Sequence, residues 1–358
     1  MDILPQLLQK YPFFHNTIQN IIVDNTFHFI DTIPRHINIL FVYDNNIHTL
    51  VATYRPSYAF SLNLDKPKAH PEMYNVSQVI FNIHNYNISI VIGMGTGSIN
   101  DICKYATFLT NIDYVFIPTA LSMNGIVSQN TSLLDGKSSV KQSIITQPPR
   151  SIILDKNILL SAPKVFIGSA IMDSLAGYTA CNDFIYASKT DGIKYLFEQR
   201  IFDIFDKKMS EVIQIVNNDI KLIYQDFDTI LQIFELLYIS GMIMNYYGSS
   251  IAFSGGEHHI AHTLESMVPK VSKKFLHGEI ISAILPFYTK MQQEYTGDDY
   301  IEKDMILHNT RFNFTAIANK LNMQVDPTDL GISMNKFHLC VKDAKNAKER
   351  PTILNLLF

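Results

Sequence analysis

Short apolar runs separated by turns fill the first half of the chain. The run from Ile37 to Val42 is rich in branched residues and ends at Asp44, and the run from Ile88 to Ile92 leads through a glycine-rich turn into a helix-like stretch at 99–109. Such runs are typical of buried parallel strands. Because strand, turn and helix follow one another twice, the pattern predicts an α/β domain with a parallel sheet and right-handed crossovers.

The next stretch of the chain predicts two more strands. YVFIPTA and RSIILD are compact apolar runs, whereas the polar segment between them, PTALSMNGIVSQNTSLLDGKSSVKQS, has little periodicity and predicts a loop or hairpin. A helix-like segment precedes the first strand, and a short helix is expected at the carboxyl end. Polar loops at the carboxyl ends of parallel strands are where open sheets bind ligands.

From about Ser161 onward the pattern changes to helical periodicity with few strand signals, which predicts an all-helical second domain. The predicted division is therefore 1–160 for the sheet domain and 161–358 for the helical domain. The helical segments are expected at 165–188, 192–217, 222–248, 257–267 and 278–293.

Composition narrows the class of protein. The 358 residues are 47% hydrophobic and 17% charged, with a net charge of −4, as in folded globular proteins. The chain has no long basic run, which argues against binding to nucleic acid or to an anionic membrane. Three scattered cysteines fit a reducing cytoplasm. The amino-terminal stretch lacks a signal-peptide pattern and no apolar run is long enough for membrane insertion, so a cytoplasmic protein is expected.

The turn after the second strand contains three alternating glycines. Gly93, Gly95 and Gly97 precede a helix that opens at Ser98, and such a turn lets backbone amides hold a phosphate. A tight turn without a ligand is the alternative. Asp44 ends the first strand, where a carboxylate could accept hydrogen bonds from an adenosine ribose or simply cap a turn.

Histidines are crowded in the second domain, where four of the chain's twelve lie between Ser254 and Glu279. His258 and His262 are four residues apart, so in a helix both rings project from one face. His277 follows after a predicted loop. Catalytic zinc sites use three protein ligands, most often imidazoles. The histidine cluster therefore predicts part of a metal site, whose carboxylate ligand must come from elsewhere in the chain. The alternative is that these histidines face solvent or pack in the core.

Asp173 is the candidate for the missing ligand. It lies in the apolar segment IGSAIMDSLAGYTA, where a lone carboxylate must be paired, bound to a cation or placed at the rim of the core. A residue that caps a helix near its end is the alternative reading of the same pattern.

Six motifs resemble those of one superfamily in their order. VIGMGTGSINDICKYAT, IPTALSMNG, IGSAIMDSLAGYTA, SGGEHHIAHTLE, LHGE and RPTIL are similar to motifs of the dehydroquinate synthase-like and iron-containing alcohol dehydrogenase superfamily. Within it, SGGEHHIAH and RPTIL most resemble the sn-glycerol-1-phosphate dehydrogenases. The resemblance covers about 37–358, and it implies a Rossmann-like amino-terminal domain, a helical carboxyl-terminal domain and an active site in the cleft between them.

The resemblance also implies roles for particular residues. The metal ligands would be Asp173, His258 and His277, holding zinc, iron or nickel, and His262 would serve the substrate or a proton relay. The NAD or NADP contacts would be Asp44, Gly93, Gly95, Gly97, Ser98, Asp101, Thr119, Ser122 and Ser128.

The implied reaction is hydride transfer between a nicotinamide and a small phosphorylated ketone or polyol, with dihydroxyacetone phosphate and sn-glycerol 1-phosphate as the expected pair. Lys137 and Lys141 are candidates to meet the phosphate, or else lie on an ordinary solvated surface. A homo-oligomer is expected, as for many relatives. Relatives commonly have aspartate where this chain has Asn124. The resemblance implies that this position lies near the substrate and takes part in catalysis.

Three other functions fit the same motifs. A dehydroquinate synthase-like lyase would form a carbocycle and release phosphate, although such enzymes usually have glutamate at the position of Asp173. The second is a polyol or alcohol dehydrogenase with a different substrate. The third is a relative that binds nucleotide or metal without turnover.

Overall fold

The computed structural model describes residues 1–14, 17–64, 71–134, 141–189, 196–295, 308–347 and 350–358. The chain forms two compact units. The first consists of Met1–Leu121 and Gly125–Pro163, and the second consists of Ser122–Asn124 and Lys164–Phe358.

The first unit is an α/β structure. Its elements in chain order are α1 Leu4–Lys10, β1 Asn20–Val23, α2 Thr26–Asp31, β2 Ile39–Tyr43, α3 His48–Tyr54, β3 Phe60–Asn63, α4 Met73–Asn85, β4 Ile90–Gly95, α5 Gly97–Thr110, β5 Asp113–Pro118, β6 Asn130–Leu134, β7 Lys141–Ile145, β8 Ser151–Leu154 and α6 Lys156–Ser161.

Six strands of this unit form one parallel sheet in the order β1-β8-β5-β4-β2-β3. The side chains of β2 and most of β4 and β5 are buried, because apolar residues cover both faces of the sheet. These strands and β8 confirm the parallel sheet that the apolar runs predict. The segment predicted as a loop or hairpin contains the antiparallel pair β6 and β7.

Two strands were missed by the sequence pattern. β1 and β3 have four residues each, lie at the two edges of the sheet and are only partly buried. An edge strand covers less core and therefore needs no long apolar run.

The carboxyl ends of β2 and β4 flank a reversal in the order of the sheet. β3 pairs with one side of β2 and β4 with the other, so the chain changes the direction in which it adds strands at this point. Open α/β sheets bind ligands outside the carboxyl ends of strands at such a switch. Asp44 directly follows β2 and Gly95 ends β4, so two predicted cofactor residues lie on either side of it.

In the second unit, the described residues contain helices and no strand, which confirms the helical prediction. Its helices are α7 Lys164–Ser188, α8 Gln199–Asn218, α9 Leu222–Gln225, α10 Phe227–Tyr247, α11 Gly256–Met267, α12 Pro269–Lys274, α13 His277–Glu294, α14 Phe314–Lys320, α15 Met334–Ala344 and α16 Leu354–Leu357.

Two predicted elements differ in detail. The helix expected at 222–248 is interrupted at Asp226, whose carboxylate accepts a hydrogen bond from the Thr229 amide at 2.8 Å and so starts α10. The loop expected before His277 is the short helix α12, which begins at Pro269.

Helix α10 is long and apolar enough to cross a membrane by length and composition alone. Most of it is buried inside the helical unit, and core helices of soluble proteins have the same character, so it is weak evidence for a membrane span.

Candidate metal centre

The SGGEHH segment begins α11 against two neighbouring helices. The Gly256 amide donates to Oδ2 of Asp183 on α7 at 2.7 Å, and a Cβ at Gly256 would lie 2.0 Å from the Tyr288 hydroxyl oxygen on α13. Only glycine allows so close an approach. The helix start is thereby fixed, and His258 and His262 project from one face with ring centroids 6.0 Å apart.

Asp173, His258 and His277 come together from three helices. Asp173 lies inside α7 and does not cap its end, His258 lies in the first turn of α11, and His277 is the first residue of α13. Nε2 of His258 is 3.3 Å from Oδ1 of Asp173, and Nε2 of His277 is 3.9 Å from the same oxygen. One ligand atom from each residue lies within 4.8 Å of the others.

These three side chains fit a divalent metal ion. Oδ1 of Asp173 is buried and accepts no hydrogen bond from any residue that the structure describes. A buried carboxylate oxygen without such a partner is costly unless a cation is its ligand. Ligands of a tetrahedral zinc ion lie roughly 3.3–3.6 Å from each other, close to the two distances measured from Oδ1. The donor set suits zinc, iron, nickel and cobalt alike.

A carboxylate contacts the second nitrogen of each histidine in this set. Nδ1 of His258 is 2.8 Å from Oε1 of Glu257, and Nδ1 of His277 is 3.1 Å from Oε1 of Glu265. A proton on each Nδ1 leaves the lone pair on Nε2, the nitrogen that faces Asp173. Glu257 is itself held by the Gly255 amide at 2.7 Å and the Thr179 hydroxyl at 2.9 Å.

The charges of this cluster support one another. Burial raises the pKa of Asp173, but His258, His277 and the Asn124 amide outweigh it and bring the pKa below its ordinary value. Burial lowers the pKa of His258, but the carboxylates of Asp173 and Glu257 outweigh it and bring the pKa above its ordinary value. Asp173 is therefore ionised at neutral pH, as a metal ligand must be.

Asn124 lies directly against Asp173 and its neighbour. Its backbone amide donates to Oδ2 of Asp173 at 3.0 Å, and its side-chain Nδ2 donates to the Asp173 carbonyl at 3.1 Å. Oδ1 of Asn124 accepts from the Ser174 hydroxyl at 2.7 Å. An aspartate at this position would have no hydrogen to donate to the carbonyl and would add a second negative charge beside Asp173. These contacts orient Asp173, and the predicted role of Asn124 in catalysis stays a prediction.

His262 lies next to the set of three. Its ring is nearly parallel to that of His277, with centroids 5.1 Å apart and an interplanar angle of 15°. Its Nδ1 is 3.3 Å from Oε2 of Glu265. The structure thus brings the predicted proton relay beside a predicted metal ligand.

In the first unit, packing accounts for part of the glycine pattern. A Cβ at Gly93 would lie 2.7 Å from the Tyr114 hydroxyl oxygen, so glycine is required there whether or not a phosphate binds. Helix α5 begins at Gly97, and Thr96 before it makes no side-chain cap. An uncapped start of a 14-residue helix fits an anion such as a pyrophosphate.

The other predicted cofactor residues are at the ends of the same strands or near α5. Thr119 follows β5, and its amide donates to the Gly95 carbonyl at 2.9 Å. Asp44 accepts from the Asn46 amide at 3.0 Å, the capping contact that its pattern allows. Ser98 is the second residue of α5 and is half-buried.

Asp101 and Ser128 take part in a buried polar cluster. Oδ1 of Asp101 lies 3.2 Å from the buried Lys104 ammonium, which also donates to the carbonyls of Ser128 and Asn130. Ser122 belongs to the segment grouped with the helical unit, where its carbonyl accepts from the Ser169 hydroxyl at 3.1 Å. Lys137 lies outside the described residues, and Lys141 begins β7.

Several residues of the centre were missed by sequence reasoning. Glu257 and Glu265 had a local signal, because one adjoins His258 and the other is three residues from His262 on the same helix. Asp183 had none. It joins two motifs distant in sequence, since its carboxylate accepts from Gly256 of SGGEHH and, at 3.1 Å, from the Ile353 amide of RPTIL.

Comparison with known proteins supports the resemblance predicted from the sequence. Residues 28–163 match the family model described as iron-containing alcohol dehydrogenase. The glycerol-1-phosphate dehydrogenase [NAD(P)+] of Thermococcus sibiricus is 33% identical over 207 residues, 58% of this chain and 56% of the relative. The protein of the same name from Pyrococcus abyssi is 30% identical over 218 residues, 59% of this chain and 58% of the relative. The chain thus spans a little over half the length of these curated relatives.

Solved structures share the fold. Glycerol dehydrogenase from Schizosaccharomyces pombe superimposes with a TM-score of 0.69 at 16% identity, covering 94% of this chain and 84% of the other. A probable glycerol dehydrogenase from Sinorhizobium meliloti gives a TM-score of 0.67 at 16% identity, covering 89% and 85%. At such identities the likeness supports the predicted fold class and no finer conclusion.

Proposed function

We propose that this chain is a glycerol-1-phosphate-dehydrogenase-like member of the iron-containing alcohol dehydrogenase superfamily and acts as a metal-dependent NAD(P)-linked oxidoreductase. The proposed reaction interconverts dihydroxyacetone phosphate and sn-glycerol 1-phosphate. The observation that carries the proposal is the convergence of Asp173, His258 and His277 around a buried carboxylate oxygen that lacks a hydrogen-bond partner among the described residues.

Asp173, His258 and His277 would hold the metal ion, which as a Lewis acid would stabilise negative charge on the substrate oxygen. Glu257 and Glu265 would keep the two histidines in the tautomer that presents Nε2. His262 would supply or accept the substrate proton. With Nδ1 facing Glu265, that exchange would run through Nε2.

The nicotinamide cofactor is assigned to the first unit. The uncapped start of α5 after Gly95 would bind its pyrophosphate, and Asp44 across the switch between β2 and β4 would face its ribose. Thr119, Ser122, Ser128 and Asp101 stay predicted contacts. The proposal covers NAD and NADP alike. Three further parts of the proposal come from the sequence. Lys137 and Lys141 would bind the substrate phosphate, the protein would form a homo-oligomer, and its location would be cytoplasmic.

The proposal is tested by following absorbance of the reduced nicotinamide with purified protein, zinc and dihydroxyacetone phosphate, with NADH and with NADPH. We expect oxidation of at least one cofactor, its loss after chelation and its return when zinc is restored. Release of inorganic phosphate with no net change in cofactor absorbance would instead support the lyase. Reduction of another carbonyl compound but not of this ketone would overturn the substrate assignment.

A further inference from the structure

The carboxylate of Glu265 lies between two imidazole rings. Its Oε1 is 3.1 Å from Nδ1 of His277, and its Oε2 is 3.3 Å from Nδ1 of His262. Its side chain is 8% exposed, whereas those of His262 and His277 are 11% and 22% exposed. A buried carboxylate is stabilised when each of its two oxygens accepts a hydrogen bond.

The two contacts fix the relation between the rings. One carboxylate contacts both Nδ1 atoms, and the planes of the His262 and His277 rings are 15° from parallel. His262 and Glu265 are three residues apart on α11, and His277 begins α13. Glu265 therefore ties the first residue of α13 to α11, and it orients the ring whose Nε2 faces Asp173.

We propose that Glu265 is a positioning residue that holds the metal ligand His277 and the proton-transfer group His262 in one fixed arrangement. The inference deepens the proposed function, on which it rests, by adding a residue that touches neither substrate nor cofactor. A carboxylate is needed because its two oxygens accept from two Nδ1–H groups, whereas a glutamine has only one oxygen.

A second cation held by His262, Glu265 and His277 is the competing explanation, since one ligand atom from each lies within 4.8 Å of the others. The first metal site argues against it. If Nε2 of His277 binds the first metal ion, the neutral ring carries its proton on Nδ1, and that nitrogen has no lone pair for a second cation.

The test compares Glu265→Gln with wild type, with Glu294→Gln as the control. Glu294 lies on α13 as an exposed partner of Lys290, outside the centre. Zinc affinity is measured by competition with a chromophoric chelator, and kcat and KM are measured with dihydroxyacetone phosphate. We expect E265Q to weaken zinc binding by about 10–100-fold and to lower kcat, while E294Q changes neither.

A double-mutant cycle with His262→Ala separates positioning from general structural support. The loss of zinc affinity caused by E265Q should persist in the H262A background, because it acts through His277. At saturating zinc, E265Q should lower kcat in the wild-type background but not in the H262A background, because this effect acts through His262. A merely structural role would lower stability and give the same kcat loss in both backgrounds. Glu265→Asp keeps the charge but has a shorter side chain, so it should also bind zinc more weakly. It replaces E265Q in the test if E265Q does not fold.

Several results would overturn the inference. Wild-type zinc affinity in both E265Q and E265D would remove Glu265 from the centre, and an equal kcat loss in both backgrounds would leave it a structural residue. Two zinc ions per wild-type chain, with one lost in E265Q, would identify a second cation site. If wild type binds zinc but ignores the ketone, the proposed substrate fails, while the zinc affinities still decide whether Glu265 orients His277.

Discussion

In the sheet unit, the glycine-rich segment from Gly93 to Ser98 is the end of β4 and the start of α5, which follow one another directly. The histidine centre of the helical unit instead draws its side chains from α7, α11 and α13. Gly93 is explained by the Tyr114 ring that packs on it. Asp173 in the centre leaves a buried oxygen without a hydrogen bond among the described residues. Packing thus accounts for Gly93, whereas the buried carboxylate of Asp173 needs a cation beside it, either a metal ion or a protonated His258.

This difference has a consequence for substitutions. Changes in the histidine centre should alter metal binding with little effect on folding, and changes in the glycine turn should alter folding with little effect on the metal. This contrast is wrong if substitutions in the histidine centre and in the glycine-rich segment each alter both metal binding and folding.

The largest effect is expected for His277→Ala. His277 is the first residue of α13 and its side chain is 22% exposed, so we expect the variant to stay folded. Loss of one of three ligands should abolish metal retention and lower kcat/KM by at least about 10³-fold, roughly 4 kcal/mol of transition-state stabilisation. Metal analysis after gel filtration and a thermal melt give the two readouts. Undiminished metal content would remove His277 from the centre.

The next effect is expected for Asn124→Ala. The substitution removes the donor to the Asp173 carbonyl and the acceptor for the Ser174 hydroxyl, and it adds no charge. Zinc affinity should fall by about 10–100-fold, as for other changes behind a metal ligand. Asn217→Ala, the same truncation at an exposed site on α8, is the control. Tighter zinc binding or faster turnover in N124A would contradict the orienting role of Asn124.

Zinc affinity should also depend on pH. The pKa of His258 lies above its ordinary value, so as the pH falls the ring takes up a proton that the metal must displace. The pKa of Asp173 lies below its ordinary value, so this carboxylate stays ionised and adds no dependence near neutrality. Affinity should fall by up to about tenfold per pH unit below the pKa of His258. Chelator competition across the neutral range measures it, and a flat profile would argue against His258 as a ligand.

The smallest effect is expected for Gly93→Ala in the sheet unit. The added Cβ meets the Tyr114 hydroxyl and ring, so the free energy of unfolding should fall by about 1–3 kcal/mol while zinc content stays unchanged. Tyr114→Phe removes the nearest atom but also the hydroxyl that donates to Oδ1 of Asn100 at 3.1 Å. G93A should therefore cost less in the Y114F background than in wild type. Denaturant titration of wild type, the two single variants and the double variant checks both statements. Loss of zinc in G93A would break the contrast between the two regions.

The order of the central strands and of the long helices could be predicted because apolar runs and helical periodicity are local signals. Asp173 could be proposed as a ligand because a carboxylate among Ile171, Met172 and Leu175 needs a partner. β1 and β3 could not be predicted, since edge strands carry weak apolar patterns. Asp183 could not either, because its contacts with Gly256 and Ile353 exist only after distant segments have packed.

The most direct test of the account is transfer of deuterium from reduced nicotinamide labelled at the transferable position. With zinc-loaded protein and dihydroxyacetone phosphate, we expect the label in a glycerol phosphate product, detected by mass spectrometry, and no product from H277A or from chelated protein. The product should resist oxidation by an sn-glycerol-3-phosphate dehydrogenase, since the other enantiomer is predicted. Turnover that is unaffected by chelation, or that releases phosphate without transfer of label, would contradict a metal-dependent dehydrogenase.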